Sequence, residues 1–168
     1  MAEGDRVRLG LMEDLKFITQ PSEIPSILAE TARMNFGMAS EPLVGALLRT
    51  LASSKPGGRF LELGTGTGVA TAWLLAGMDS DSTLTSVDID EKLQAVAARA
   101  LGHDLRLKLV TSDALDYLAT QPARSFDLIF ADAMPGKYHG VEVALEAVSR
   151  AKSDGLLWFT FTGRNTKF

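Results

Sequence analysis

The pattern of apolar and polar residues predicts a parallel sheet in the larger part of the chain. From Arg59 onward, short apolar runs alternate with segments of helical period, which is typical of βα units. Five strands are predicted, at Arg59–Leu63, Thr83–Asp88, Arg106–Val110, Phe126–Asp132 and Gly155–Phe161. Because crossovers between parallel strands are right-handed, the helices lie on both faces of the sheet. We therefore expect a doubly wound α/β domain with its ligand site at the carboxyl ends of the strands.

The clearest helical period follows the second predicted strand. Its apolar positions, spaced i, i+3, i+4, i+7 and i+8, are Leu93, Val96, Ala97, Ala100 and Leu101. Asp90 precedes them and is expected to cap the helix.

The residues before the linker Ser53–Gly58 are predicted to be helical. One helix is expected to open at Pro25, and Ser40 is expected to cap a second helix that has Pro42 in its first turn. The second helix has an apolar stripe at Leu43, Leu47 and Leu51. We expect one domain over residues 1–168, with N-terminal helices over 1–55 and the α/β core over 56–168.

Composition narrows the function classes. The 168 residues are 46% hydrophobic and 23% charged with a net charge of -4, so a basic nucleic-acid module and an electrostatic membrane contact are not expected. The chain has no cysteine, which excludes disulfide scaffolds, zinc-thiolate sites and thiol nucleophiles. The N-terminus is polar without an apolar signal segment, and we expect a cytoplasmic protein.

A glycine-rich loop follows the first predicted strand. The sequence from Glu62 to Gly68 reads E-L-G-T-G-T-G, with three glycines in five residues. Glycines at this point allow a sharp turn and let a ligand lie against the backbone and the N–H groups of the next helix. The spacing G-x-G-x-G differs from the dinucleotide fingerprint G-x-G-x-x-G, which makes a pyrophosphate ligand less favoured while leaving it open.

Two acidic residues at the ends of later strands complete a set that suits a nucleoside. Asp88 ends the second strand, where a carboxylate would accept from both ribose hydroxyls. Asp113 follows the third strand, where a carboxylate could accept from an exocyclic amine of a base. The alternatives are an ordinary strand-end acid for Asp88 and a helix cap for Asp113.

These residues resemble the class I S-adenosylmethionine-dependent methyltransferases, a Rossmann-like fold with the strand order 3-2-1-4-5. Within that class the chain is similar to the small O-methyltransferases of the catechol and caffeoyl-CoA type, through Met38 before the second helix and the run F-A-D-A at Phe130–Ala133. The resemblance implies that Asp88 holds the cofactor ribose, and that Asp113 and Ala114 face the adenine. It places the methionine part of the cofactor beside Met38, Glu62 and the loop residues Gly64, Thr65, Gly66 and Gly68.

The implied chemistry is displacement of the sulfonium methyl by a substrate oxygen, with a small-molecule methyl acceptor as partner. In the metal-dependent family, a divalent ion held by two Asp and an Asn lowers the pKa of that oxygen and a lysine acts as base. Asp132 and Lys137 correspond to two of those parts. However, Lys137 follows Asp132 by five residues rather than three, and the fifth predicted strand leads to no carboxylate, so a divalent metal is doubtful.

The end of the sequence suggests two further expectations. With the order 3-2-1-4-5 the fifth strand is an edge, and its apolar residues from Leu156 to Phe161 are expected to pair in a homodimer. The family has seven strands, so the chain is expected to be C-terminally shortened. A non-catalytic or truncated cofactor-binding protein is therefore the first alternative to an enzyme, and a nicotinamide-dependent oxidoreductase is the second.

Overall fold

The computed structural model describes residues 18–132 and 142–159, and its centre is a five-stranded parallel sheet. The strands are β1 (Arg59–Leu63), β2 (Thr83–Asp88), β3 (Leu107–Thr111), β4 (Phe126–Ala131) and β5 (Ala151–Phe159). The helices are α1 (Ile24–Arg33), α2 (Pro42–Ser53), α3 (Val69–Gly77), α4 (Glu91–Leu101), α5 (Ala114–Ala119) and α6 (Glu142–Arg150). The strand order is β3-β2-β1-β4-β5, which confirms the predicted topology. Within the described ranges, every helix is too short or too polar to span a bilayer.

The sheet is covered by helices on both faces. One apolar cluster joins β1, β2 and β4 to α1–α4, and a second cluster joins the opposite face to α5 and α6. The chain changes face after β3, because the strand that follows is added on the other side of β1. This switch leaves a crevice between the carboxyl ends of β1, β2 and β4, where doubly wound folds bind their ligands.

The cap predicted at Ser40 was wrong, whereas the cap at Asp90 is confirmed. Glu41 occupies the N-cap position of α2 in extended conformation, without a side-chain cap bond, and Pro42 is the first helical residue. Ser40 lies one residue too early, and the fixed φ of Pro42 starts the helix instead. At α4, Asp90 Oδ1 accepts from the backbone N–H groups of Lys92 at 2.9 Å and Leu93 at 3.2 Å.

The boundaries of three strands also differ from the prediction. β3 is shifted one residue toward the C-terminus, and β4 ends at Ala131 rather than at Asp132. β5 begins at Ala151, four residues before the predicted start, because Ala151 pairs with Phe126 of β4 ahead of a register shift that lies before Leu156. Lys152 supports this pairing through an ion pair with Asp127 at 2.8 Å. Residues 160 and 161 of the predicted fifth strand lie outside the described residues.

Helices α2 and α3 pack closely because glycines remove side chains from their contact. A Cβ atom on Gly77 would lie 2.1 Å from the carbonyl oxygen of Arg49, and one on Gly45 would lie 2.3 Å from Nε1 of Trp73. Trp73 is almost fully buried in the first apolar cluster. The position of α3, which begins at the glycine-rich loop, therefore depends on this contact.

We expect Gly77→Ala to lower the free energy of unfolding by about 2 kcal/mol, because the new methyl group collides with backbone that cannot move alone. Gly57→Ala is the control: its Cβ meets no atom within 4 Å, so it pays only the cost of φ +65°, about 1 kcal/mol. Urea unfolding measures both. Equal stability of Gly77→Ala and the unmodified protein would contradict the packing argument.

Candidate functional site

A cavity of about 380 Å³ opens at the carboxyl ends of the strands, within the size range of small-molecule sites. It brings together eight of the predicted site residues, namely Met38, Gly64, Thr65, Gly66, Asp88, Asp113, Ala114 and Asp132. Glu62 and Gly68 lie next to this cavity in the chain but do not line it. Lys137 lies outside the described residues. Sequence reasoning therefore found the region from which the cavity is built.

The glycine-rich loop is held by the end of β2. The backbone N–H groups of Gly64 and Thr65 both donate to the carbonyl oxygen of Val87, at 2.7 and 3.2 Å. Gly66 has φ +52° and donates its N–H to Asp88 Oδ2 at 2.6 Å. A left-handed φ suits glycine, and the missing side chain leaves the backbone open to the cavity.

Gly68 serves the packing of the loop rather than the cavity wall. It has φ +95° at the N-cap of α3, and a Cβ atom there would lie 2.7 Å from the Cβ of Ala97 in α4. The third glycine of the motif therefore lets the loop approach α4. This close approach brings α4, and the polar residue Gln94 on its buried side, against the underside of the loop.

Both strand-end acids already accept hydrogen bonds from the backbone. Asp88 accepts from Gly66 N–H through Oδ2 and from Asp90 N–H through Oδ1 at 2.8 Å. Asp113 caps α5, accepting through Oδ1 from the N–H groups of Leu115 at 2.8 Å and Asp116 at 3.3 Å. Asp113 is thus a helix cap, as the alternative interpretation expected. A carboxylate oxygen can accept more than one hydrogen bond, so both acids can also bind a ligand in the cavity.

Glu62 is fully buried at the base of the loop and accepts hydrogen bonds from two hydroxyl groups. Thr71 of α3 and Ser86 of β2 both donate to Oε2, each at 2.5 Å. The other oxygen, Oε1, is buried and has no hydrogen-bond partner. A buried polar atom of this kind marks a place where a water molecule or a ligand is expected.

Burial raises the pKa of Glu62 from 4.5 to about 8. The hydroxyl donors Ser86 and Thr71 oppose this shift, whereas the negative charges of Asp132 and Asp88 add to it. At neutral pH the carboxyl of Glu62 is therefore mostly protonated. Three acids at the ends of β1, β2 and β4 then carry fewer than three negative charges.

Sequence reasoning missed the aromatic residue at the mouth of the cavity. Phe36 lines it, and its ring lies 3.2 Å from the Cβ position of Gly66. It is placed by the end of α1: Asn35 has φ +53°, its N–H donates to Ala32 O, and Phe36 N–H donates to Thr31 O. This is a Schellman ending, with asparagine in the left-handed position usually taken by glycine. Asn35 directly after a helical period was the signal available in the sequence.

The cavity also has an apolar wall that the sequence analysis did not assign. Ile89, which is 70% exposed, and Leu93 of α4 line it beside Asp88. They face the region between the second and third strand ends, where an aromatic base would need apolar contact. Within residues 18–132 and 142–159, no three His, Asp or Glu side chains are arranged to hold a metal ion.

Comparison with known proteins gives a family match over the sheet. Residues 61–159 match a family described as "Methyltransferase domain". A curated protein of Mycobacterium ulcerans (strain Agy99), named "Putative O-methyltransferase", is 36% identical over 123 residues, which are 71% of this chain and 54% of that protein. The chain spans about half the length of the curated relatives it matches.

Solved structures show the same fold. The O-methyltransferase from Bacillus cereus, in complex with SAH, is 25% identical with a TM-score of 0.70, over 81% of this chain and 64% of that one. The O-methyltransferase TomG from Streptomyces achromogenes, in complex with SAM, is 22% identical with a TM-score of 0.80, over 95% of this chain and 74% of that one. At 22% identity, the similarity to TomG shows a shared fold only.

The buried proton on Glu62 predicts how stability depends on pH. The folded protein holds this proton up to about pH 8 and the unfolded chain only to about pH 4.5, so the free energy of unfolding falls as pH rises between these values. We expect Glu62→Gln to reduce this fall by on the order of a few kcal/mol, measured by urea unfolding from about pH 5 to about pH 8. Glu91→Gln, at an exposed position of α4, is the control. An unchanged slope in Glu62→Gln would contradict a protonated Glu62.

Proposed function

Because this chain belongs to the methyltransferase-domain family, we propose that it is an S-adenosylmethionine-dependent O-methyltransferase acting on a small hydroxylated molecule. The observation that carries the proposal is the cavity itself, in which an open glycine backbone and two acids from separate strands face one space. A nucleoside with a charged amino-acid tail matches these three features. The relatives named as O-methyltransferases support oxygen as the methyl acceptor.

The residues present fit the proposed cofactor. Asp88 would accept from the ribose hydroxyls, while Ile89 and Leu93 supply an apolar wall for the adenine, beside Asp113 and Ala114. The methionine part would lie along the glycine-rich loop toward Met38, which is 46% exposed. The buried Oε1 of Glu62 lacks a partner near that end. The positive charge of the amino group would favour the ionised form of Glu62, whose Oε1 would then accept from the amino group directly or through water.

In the proposed reaction, the cofactor supplies an activated methyl group on a sulfonium centre. The chain contributes mainly alignment, because the loop and the strand ends fix the cofactor in one orientation relative to the acceptor. Asp132 follows β4 and lines the cavity, and we assign it to orienting the acceptor hydroxyl. Lys137 is proposed as the base that takes the hydroxyl proton. We assign no step to a metal ion.

Two alternatives from other functional classes predict different results in binding and methylation assays. A non-catalytic cofactor-binding protein would bind S-adenosylhomocysteine without methylating any hydroxylated acceptor. A nicotinamide-dependent oxidoreductase would bind NADH in competition with S-adenosylhomocysteine, although the G-x-G-x-G spacing of the loop disfavours it. Competition calorimetry with NADH separates this second alternative from the proposed function.

Titration calorimetry with S-adenosylhomocysteine tests the proposed site directly. We expect micromolar binding by the unmodified chain and a loss of at least about tenfold in Asp88→Ala, because the ribose hydroxyls lose a charged acceptor. Asp88→Asn retains a side chain that can hold Gly66 N–H and separates the loss of charge from a disturbed loop. Asp81→Asn, at an exposed position outside the cavity wall, should bind like the unmodified chain. Absence of binding by the folded unmodified protein would overturn the proposal.

We also propose that two copies associate through β5. On its outer side, β5 pairs with no other strand among the described residues, and Leu156 and Leu157 are only half-buried. An exposed strand edge with apolar side chains favours pairing with another chain.

A cytoplasmic location is likewise proposed, and cell fractionation would test it.

Sedimentation at tens of micromolar protein should detect a dimer, and Leu157→Thr should weaken it by removing apolar area next to the edge. Val148→Thr is the matched control, since Val148 is 56% exposed on α6 rather than on β5. A monomer at all concentrations would exclude the dimer, and a loss of association only in Val148→Thr would move the contact to the helix.

A further inference from the structure

Gln94 is a buried polar residue whose role the proposed function does not yet explain. It lies on the inward side of α4, at i−3 from Ala97 and i−7 from Leu101, and is only 5% exposed. Burial of an amide is costly unless its donors and acceptor are all bonded. Gln94 does not line the cavity, so a direct contact with a ligand does not account for it.

The bonds of Gln94 reach three strand ends at once. Its Nε2 donates to Thr65 Oγ1 of the loop at 3.0 Å and to the carbonyl oxygen of Val110 in β3 at 3.1 Å, with Ser86 O of β2 at 3.4 Å. Its Oε1 accepts from Thr111 Oγ1 at 2.9 Å. Because carbonyl oxygens can only accept, the NH₂ group must face Val110, which fixes the orientation of the amide.

The amide of Gln94 joins one end of a longer hydrogen-bond chain. Ser86 donates its one hydroxyl hydrogen to Glu62 Oε2 at 2.5 Å, so Thr65 is the donor in the 2.6 Å contact between Thr65 Oγ1 and Ser86 Oγ. Thr65 Oγ1 in turn accepts from Gln94. The order Gln94, Thr65, Ser86, Glu62 gives every hydroxyl in the chain an acceptor, and it leaves Oε2 of Glu62 as the acceptor at the end.

The groups joined in this way are those that carry the cavity wall. Thr65 belongs to the loop, Ser86 lies two residues before Asp88, and Thr111 lies two residues before Asp113. A hydrogen-bond network in a buried site couples the positions of its members more strongly than separate bonds do. One side chain behind the wall therefore bonds to the loop and to the strands that lead to both acids.

We propose that Gln94 is a positioning residue for the cofactor site: it fixes the glycine-rich loop relative to the ends of β2 and β3 and joins them to the Thr65–Ser86–Glu62 chain. This inference rests on the proposed function for the identity of the ligand. The arrangement of the loop that it describes does not depend on that ligand.

The first test compares loss of affinity with loss of stability. We expect Gln94→Met, which keeps the length but cannot donate, to raise the Kd for S-adenosylhomocysteine about tenfold by calorimetry. Ser82→Ala is the matched control: Ser82 is buried and bonded to Gly58 N–H and Asp79, at the opposite end of β2 from the cavity. It should lower the urea midpoint while leaving Kd unchanged. Equal weakening of binding by both variants would reduce Gln94 to a purely structural residue and overturn the proposal.

A double-mutant cycle tests whether Gln94 acts through Thr65. Thr65→Val removes the hydroxyl that links Gln94 to Ser86. Relative to the unmodified protein, the Kd of Gln94→Met/Thr65→Val should therefore rise by a factor much smaller than the product of the rises in the two single variants. Independent, multiplicative effects on Kd would contradict the chain.

Hydrogen exchange of the ligand-free protein supplies a readout that does not need the cofactor. Amides of the loop from Gly64 to Gly68 should exchange faster in Gln94→Met than in Ser82→Ala, because the loop loses its bond to α4. If the unmodified protein fails to bind S-adenosylhomocysteine but this difference is seen, the proposed function fails and the positioning of the loop stands. If binding is normal and loop exchange is unchanged in Gln94→Met, the positioning role alone fails.

Discussion

The structure around the cavity depends on one constraint, the complete burial of the Glu62 carboxyl. A carboxyl group without water must find hydrogen-bond partners within the protein or remain protonated, and Glu62 does both. Its two donors come from different elements, since Thr71 lies in α3 and Ser86 in β2. The requirement of one side chain thus fixes the helix after the loop against the strand beside it. The loop between β1 and α3 is held at both ends before any ligand arrives.

The N-terminal helices extend this arrangement to the other side of the loop. The hydroxyl of Thr67 donates to Thr31 Oγ1 of α1 at 2.8 Å, because Thr31 gives its own hydrogen to the carbonyl oxygen of Ile27. Both threonines are buried, so α1 is joined to the loop as well as to the apolar core. The left-handed Asn35 then turns the chain so that Phe36 covers Gly66. The segment between α1 and α2 is therefore part of the cavity wall, and a change in the packing of α1 would be transmitted to the loop.

The sheet could be predicted because the signals for it are local. Each central strand is buried on both faces and reads as a short apolar run, and three closely spaced glycines directly after a strand are typical of a ligand-binding turn. Asp88 and Asp113 followed from their positions at strand ends. The start of β5 could not be predicted, because polar residues follow Ala151 and the pairing there depends on contacts between residues far apart in sequence, Ala151 with Phe126 and Lys152 with Asp127. The protonation of Glu62 and the role of Gln94 also depend on contacts between residues far apart in sequence. The helical period alone shows only that Gln94 is a polar residue on a buried face.

The hydrogen bonds of the two strand-end acids explain how a cofactor could bind without rebuilding the site. Asp88 bonds to the loop and to the start of α4, and Asp113 bonds to the first turn of α5, so both side chains are already ordered. A carboxylate that is held by backbone N–H groups loses little conformational entropy when a ligand adds a further donor. Because of these bonds, removal of either acid disturbs a loop or a helix end as well as a ligand contact. Binding and local structure at this site are therefore supplied by the same atoms, and only substitutions that keep the backbone bonds can separate them.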